Sequence, residues 1–289
     1  MARSTQPDRV RGRRLAWSLA VLVLVGALIV GGLIVVYNAL NKPLPWAERC
    51  AAFVIGSSVE VDLEQARNAS IIAGVAARRN LVPRAATIAL ATAYQESGIR
   101  NLDHGDRDSL GLFQQRPSQS WGTTEQIMDP YYASRAFYAA MGGVPDWQSS
   151  DIGDVAQQVQ RSGYPDAYDK HVTNARLLAS SLSGETPASF TCVVQDVPAG
   201  DPAGLAAFLN KTLPDADRVT RSRSTVTIEA PSTKNAWQAA HIAVANTKDY
   251  GVRTVTVGTR TWSPGASTLP SWETGTATAA ATTVVVDLE

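Results

Sequence analysis

The sequence predicts a mainly α-helical domain that follows one membrane-spanning helix and precedes a small α+β domain. Three observations lead to this fold class. An uninterrupted apolar stretch lies near the N-terminus, helical periodicity dominates the middle of the chain, and strand-like and helix-like segments alternate after residue 200. The length of 289 residues is enough for about two domains.

The apolar stretch, residues 15–37, contains no charged residue and is long enough to cross a bilayer as a helix. It is longer than the core of a signal peptide, and no A-x-A cleavage site follows it, so we expect a retained anchor. The basic run from Arg9 to Arg14 indicates that residues 1–14 form a cytoplasmic tail. The sequence therefore predicts a single-pass protein of the cell membrane, with a stalk over residues 38–49 and its main part extracytoplasmic.

Residues 50–192 are predicted to form the helical domain. Apolar spacing and start signals predict helices over residues 62–79, 83–96, 129–141, 151–162 and 164–182. The polar, glycine-containing residues 99–123 are expected to form a loop or a short hairpin.

Residues 193–289 are predicted to form the small α+β domain. Helices are expected near residues 203–213 and 233–248, and strands near residues 225–229, 252–262 and 282–288. This region carries no motif that assigns it a role, and docking of a protein partner is the role we consider for it.

The two cysteines of the chain, Cys50 and Cys192, bracket the predicted helical domain. Outside the membrane they could form a disulfide, which would close a loop of about 140 residues and stabilise the fold by a few kcal/mol in the chain-entropy model. The three histidines are scattered without the spacing of a metal site, and we expect neither a metal nor a cofactor. A formal net charge of zero gives no indication of nucleic-acid binding.

Glu96 ends an apolar, alanine-rich helical run, ATIALATAYQES, directly before Gly98. Apolar surroundings raise the pKa of a carboxyl because they disfavour its charged form. A carboxylic acid that stays protonated near neutral pH is what glycoside cleavage requires, since it donates a proton to the leaving oxygen. The alternative is a solvated glutamate at a frayed helix end.

The residues around Glu96 carry a family resemblance. Glu96 with Ser97, followed by SLGLFQQ over residues 109–115, resembles the Glu-Ser and Gly-Leu-Met-Gln signatures of the lytic transglycosylase and goose-type lysozyme superfamily, with Phe113 in place of the methionine. A third family signature, Ala-Tyr-Asn-Ala-Gly, contains a tyrosine that hydrogen-bonds the glutamate. This chain lacks it and has VQRSGYPDAY, residues 159–168, in the corresponding place. The resemblance covers roughly residues 60–182 and extends to lysozyme-like domains of bacterial cell-surface proteins.

The resemblance implies a lysozyme-like fold in which Glu96 is the general acid and later the general base. It implies that Ser97 orients this carboxyl and contributes to substrate binding, and that Gln114 holds the glycan strand. Tyr164 or Tyr168 would take the place of the family's tyrosine. For Gln114 the alternative is a hairpin amide that bonds its own backbone.

The presence or absence of a second carboxylate determines whether the enzyme is a hydrolase or a transglycosylase. Lytic transglycosylases use one glutamate, whereas a hydrolase often adds an aspartate. Asp103, Asp106 and Asp108 are candidates, and each is also a good turn-former. The resemblance thus predicts an enzyme that cleaves peptidoglycan glycan strands, most simply a lytic transglycosylase. Two alternatives stay open. One is a lysozyme-type hydrolase, and the other is a non-catalytic peptidoglycan-binding component of a cell-envelope assembly.

Overall fold

The structure of the protein is a computed structural model that describes residues 26–32, 47–161, 166–275 and 279–289. The chain divides into two compact units, Met1–Pro45 and Trp46–Glu289. In the first unit the described residues, 26–32, are helical and are labelled α1.

The predicted membrane-spanning helix over residues 15–37 is wrong. Within the part of the chain that the structure describes, no helix is both long and apolar enough to cross a membrane. Hydropathy measures only how apolar a segment is, and a span also needs about 20 residues of continuous helix. The other residues of the predicted helix, and the predicted tail over residues 1–14, lie outside the described ranges.

The predicted location as a single-pass membrane protein is wrong for the same reason, because it depended entirely on that helix. The sequence also predicted contact with the membrane through one helix. That prediction depends on the same membrane-spanning helix.

The first half of the second unit contains two strands, a series of helices and a third strand. These elements are β1 (Arg49–Val54), β2 (Ser57–Val61), α2 (Leu63–Arg78), α3 (Pro83–Ser97), α4 (Thr124–Ile127), α5 (Pro130–Met141), α6 (Ile152–Gln160), α7 (Asp169–Leu182) and β3 (Phe190–Val193).

The helix starts follow the capping signals in the sequence. Asp62 accepts a hydrogen bond from the Gln65 main-chain nitrogen at 2.9 Å, and the Gln65 side chain accepts one from the Asp62 nitrogen at 2.9 Å. This capping box starts α2. Pro83 occupies the first turn of α3, where its missing N–H is not needed, and Asp129 caps α5 through the Tyr131 nitrogen. The helices predicted from periodicity are therefore present, with ends that differ by a few residues.

The expectation that residues 50–192 are mainly helical missed a sheet. Strands β1, β2 and β3 form an antiparallel sheet in the order β2-β1-β3. All four residues of β3 are buried, so it shows no alternation that would distinguish it from a helix segment. The fold class of the second unit is thus α+β. Over all described residues of the chain, 44% are helix and 17% are strand.

Cys50 and Cys192 stand opposite each other in the pairing of β1 with β3 and form a disulfide. The predicted pairing of the two cysteines is confirmed. The bond joins positions separated by 142 residues and ties the two ends of the helical region together.

The second half alternates helices and strands, as the sequence predicted. Its elements are α8 (Pro202–Thr212), β4 (Arg218–Arg221), β5 (Thr225–Glu229), α9 (Thr233–Ala245), α10 (Thr247–Tyr250), β6 (Thr254–Val257), β7 (Arg260–Trp262), β8 (Glu273–Thr274) and β9 (Thr283–Asp287). The strands form one antiparallel sheet in the order β4-β5-β9-β6-β7-β8. The single strand expected over residues 252–262 is a hairpin of β6 and β7.

Helix α9 connects the two halves. It packs on β3, α2 and α7 as well as on β6 and β9, so residues on both sides of the predicted boundary at 192 share one core. His241 of α9 is fully buried between Ser181 and Ser189. Its Nδ1 lies 2.7 Å from the Ser181 carbonyl and its Nε2 accepts from the Ser189 nitrogen at 3.3 Å. This arrangement satisfies the neutral imidazole, and burial lowers the pKa of His241 to about 4.

Acid is expected to weaken the fold through His241. In the unfolded chain its pKa is about 6.5, so the unfolded state binds the additional proton as pH falls from about 6.5 towards 4. Stability is complete above that window and drops by up to about 3 kcal/mol across it. The measurement is the free energy of unfolding in urea from pH 7 to pH 4.

The matched comparison is His241→Asn, which should lose stability at pH 7 but show a flatter dependence on pH than the wild type. Equal pH dependences in the wild type and His241→Asn would contradict the assignment.

Removing the disulfide is expected to lower the free energy of unfolding by about 3–5 kcal/mol, because the open chain gains entropy in the unfolded state. The test compares denaturation of the wild type and a Cys50→Ser, Cys192→Ser double variant, each with and without a reductant. Reductant should lower the free energy of unfolding of the wild type to that of the double variant. It should leave the free energy of unfolding of the double variant unchanged. A wild type that reductant does not destabilise would refute the assignment.

Candidate functional site

An open groove of about 1270 Å³ crosses the helical half of the second unit. Its walls come from the loop after α3, the end of α5 and the end of α6. Polar side chains predominate in the lining, and Glu96 is one of them. The size and lining of the groove therefore suit a large polar ligand.

Glu96 reaches this groove because of how α3 ends. The helix is buried from Ala85 to Ala93, and its last turn emerges from the core. Gly98 adopts a left-handed conformation, with φ of 64°, and its nitrogen donates to the Tyr94 carbonyl at 3.1 Å. The helix thus stops one turn beyond its buried part and leaves Glu96 half-buried at the edge of the core.

The turn after Glu96 has a strained backbone conformation, and two side chains of α2 hydrogen-bond to it. Ile99 is fully buried with φ of 60°, a conformation that a β-branched residue rarely adopts. The Gln65 side chain donates to the Gly98 carbonyl at 2.8 Å, and the buried Asn68 side chain donates to the Ile99 carbonyl at 2.9 Å. Sequence reasoning missed these two amides, although a buried asparagine on the apolar face of a helix would have been a usable signal.

Two described residues, Tyr168 and Gln160, form hydrogen bonds with the Glu96 carboxyl. The hydroxyl of the buried Tyr168 donates to Glu96 Oε1 at 2.6 Å, and the side chain of Gln160 also bonds the carboxyl. Gln160 is itself fixed by donation to the Phe113 carbonyl at 2.7 Å. Burial raises the pKa of Glu96, and the hydrogen bonds from Tyr168 and Gln160 oppose this shift without cancelling it. Tyr164, the other tyrosine considered, lies outside the described residues.

Ser97 fastens the groove loop to the end of α3. Its Oγ lies 2.8 Å from the Leu112 carbonyl and 3.1 Å from the Ala93 carbonyl, and it accepts from the Arg100 nitrogen at 3.2 Å. These are main-chain contacts, so the structure gives Ser97 a scaffolding position. Its predicted part in substrate binding stays a prediction.

Gln114 lines the groove but bonds its own loop. Its side-chain nitrogen lies 3.2 Å from the His104 carbonyl and 3.4 Å from the Gly111 carbonyl. A Cβ at Gly105 would overlap Gln114 Oε1, so this approach requires a glycine. The contacts are those of the hairpin alternative, and contact of Gln114 with a glycan stays a prediction.

The three aspartates have different surroundings. Asp108 accepts from the Ser118 nitrogen at 2.8 Å and from Arg116 Nε at 2.7 Å. These contacts and the Ser118 hydroxyl hold the pKa of Asp108 well below its usual range. Asp103 pairs with His104 at 2.8 Å, and this contact lowers the pKa of Asp103. Asp106 lines the groove with a side chain that is 93% exposed.

Aromatic residues near the groove fall into two groups. Trp121 lines it, whereas Tyr131 is a core residue whose hydroxyl lies 2.7 Å from the Thr212 hydroxyl. Among the described residues, no group of three or more His, Cys, Asp or Glu side chains is arranged to hold a metal ion.

No protein-family model matches this sequence, and no curated protein matches it. The geometry of the groove and the residues within it are therefore the basis for assigning a function.

Replacing Tyr168 by phenylalanine is expected to raise the pKa of Glu96 further, because it removes a hydrogen bond that favours the carboxylate. The measurement is an NMR titration of the Glu96 side-chain carboxyl in selectively ¹³C-labelled protein, with Glu96→Gln used to assign the signal. Tyr132→Phe, on α5, serves as the matched control and should leave the titration unchanged. An unchanged titration in Tyr168→Phe would contradict the role of the hydroxyl.

Proposed function

We propose that this protein cleaves the glycan strands of peptidoglycan as a lytic transglycosylase, with Glu96 as its single acid and base. One observation carries the proposal: a half-buried glutamate in the wall of an open polar groove has a raised pKa and a tyrosine bonded to its carboxyl. The resemblance of the residues around Glu96 and of the loop over residues 109–115 to the lytic transglycosylase signatures supports the same reaction.

The reaction requires Glu96 to give up one proton and then regain one. The protonated carboxyl donates to the glycosidic oxygen, the bond from that oxygen to the sugar's C1 breaks, and positive charge develops on the ring. The carboxylate then accepts the proton of the sugar's own 6-hydroxyl while that oxygen bonds to C1. The products are a shortened strand and a 1,6-anhydro end, and Glu96 is protonated again.

The surroundings of the aspartates favour this single-carboxylate reaction. Asp108 accepts hydrogen bonds from Ser118 and Arg116, and Asp103 pairs with His104. Asp106 supports a second candidate function, that of a lysozyme-type hydrolase, because it lines the same groove. Its side chain is 93% exposed, however, and a solvent-exposed carboxylate is poorly suited to a fixed position beside the sugar.

Glu96→Gln is expected to lower the rate of peptidoglycan cleavage by at least about a thousandfold, because the amide cannot donate the required proton. The measurement is release of soluble fragments from purified sacculi by the full-length protein, with Asp106→Asn as the matched control. Mass spectrometry of the products identifies the reaction, since anhydro ends indicate a transglycosylase.

Reducing ends, together with a large rate loss in Asp106→Asn, would favour the hydrolase instead. If the wild type and Glu96→Gln were equally inactive while both still bound sacculi, the enzyme proposal would fail and a non-catalytic binder would replace it.

A further inference from the structure

The tyrosine that bonds the proposed catalytic carboxyl stands at the very start of a helix. Tyr168 occupies the N-cap position of α7, where its side chain donates to Glu96 instead of capping the helix. Helix ends tend to fray, because their first N–H groups have no partner within the helix. The position of the Tyr168 hydroxyl therefore depends on the contacts that hold the first turn of α7.

His171 belongs to the same helical turn as Tyr168. Its main-chain nitrogen donates to the Tyr168 carbonyl at 3.0 Å, and the two residues are three positions apart. Side chains at this spacing lie on the same face of a helix. The face that directs the Tyr168 hydroxyl at α3 therefore also directs the His171 imidazole at α3.

The imidazole of His171 contacts the end of α3 through its ring face and through one nitrogen. The ring stacks on that of Tyr94, with centroids 5.4 Å apart and planes inclined by 4°. Its Nε2 lies 3.2 Å from Gln95 Oε1, and because an amide oxygen accepts, Nε2 is the donor. Since Tyr94, Gln95 and Glu96 are consecutive, one turn of α7 contacts three successive residues at the end of α3.

The stacked rings are both neutral at pH 7. Tyr94 is half-buried and packs against the core, and burial raises the pKa of Tyr94 to about 12. Burial and the charge of Lys170 lower the pKa of His171, so its imidazole carries no charge at this pH. The contact therefore depends on ring stacking and one hydrogen bond, both of which fix the orientation of the groups they join.

Apolar burial holds the later turns of α7 more firmly than the first. Within this helix the buried residues begin at Ala175, and none of residues 169–174 is buried. Val172 is half-buried against the core, so the first turn has only modest apolar contact. The His171 imidazole thus supplies specific contacts with α3 at the end of α7 that carries Tyr168.

We propose that His171 is a positioning residue, which docks the first turn of α7 on the end of α3 and so holds the Tyr168 hydroxyl against the Glu96 carboxyl. The inference deepens the proposed function, on which its meaning for catalysis rests. His171 acts through Tyr168 and contacts no reacting atom. Loss of the imidazole therefore weakens the hydrogen bond from Tyr168 and favours the protonated form of Glu96.

The test is an NMR titration of the ¹³C-labelled Glu96 carboxyl in a double-mutant cycle of His171→Ala and Tyr168→Phe. His171→Ala alone is expected to raise the pKa of Glu96, by no more than Tyr168→Phe does. In the Tyr168→Phe background the same substitution should leave the pKa of Glu96 unchanged, because the hydroxyl through which His171 acts is absent. A direct charge effect of His171 would raise the pKa of Glu96 equally in both backgrounds and would overturn the proposal.

Two further variants separate the stack from the hydrogen bond and control for changes elsewhere in α7. His171→Phe keeps a ring that stacks on Tyr94 but cannot bond Gln95, so the pKa of Glu96 should lie between its values in the wild type and in His171→Ala. The same cycle run with His171→Phe decides the question if His171→Ala folds poorly. Thr173→Ala, at an exposed position of α7, is the matched control and should titrate like the wild type.

The rate of glycan cleavage connects the inference to the proposed function. On soluble peptidoglycan strands His171→Ala should lower kcat by about three- to tenfold, the effect of one weakened hydrogen bond, and leave KM unchanged. An unchanged pKa of Glu96 in His171→Ala would overturn the positioning role and leave glycan cleavage intact. A raised pKa of Glu96 in that variant, in a protein that cleaves no glycan, would support the positioning role and overturn the proposed function.

Discussion

The position of Glu96 depends on a chain reversal at Gly98 and Ile99 that two amide side chains hold in place. A helix end leaves carbonyl groups without intrahelical partners. Gln65 and Asn68, one turn apart on α2, donate to the carbonyls of the two reversal residues. A left-handed, buried isoleucine costs on the order of 1–3 kcal/mol. Its burial in the core and the two hydrogen bonds offset that cost, so the reversal is fixed by packing between α2 and α3.

The rest of the groove wall is built on this reversal. Ser97 bonds Leu112 directly beside it, which docks the loop on the helix end. The loop in turn supplies the Phe113 carbonyl that fixes Gln160, and Gln160 bonds Glu96. The carboxyl is therefore surrounded by groups whose positions follow from the end of its own helix. Burial favours its proton, while Tyr168 and Gln160 favour its charge. These opposing effects suit the proposed reaction, in which Glu96 gives up a proton and then regains one.

Local signals in the sequence predicted the helices but not the contacts that complete the site. Asp62, Pro83 and Asp129 mark helix starts through interactions within a few residues, so their effects can be predicted from sequence. The pairing of β1 with β3 joins residues about 140 positions apart, and no local pattern specifies its register. The choice between Tyr164 and Tyr168 was open for the same reason, since the contact depends on how α7 packs on α3. The predicted membrane helix is wrong because an apolar composition alone does not specify a helix long enough to span a bilayer.

The two halves of the second unit contribute differently to the groove. Its described lining residues all precede residue 162, so the second half acts on the site through packing. Helix α7 carries Tyr168 at the residue before its start, lies along α3, and leads into β3. At that far end the disulfide joins β3 to β1, and α9 packs on both α7 and β3. Because α9 packs along α7 and the strand that follows α7 is tied to β1 by the disulfide, both features support the packing of α7 on α3 and with it the contact of the Tyr168 hydroxyl with Glu96. The C-terminal half and the disulfide therefore serve the site by fixing α7.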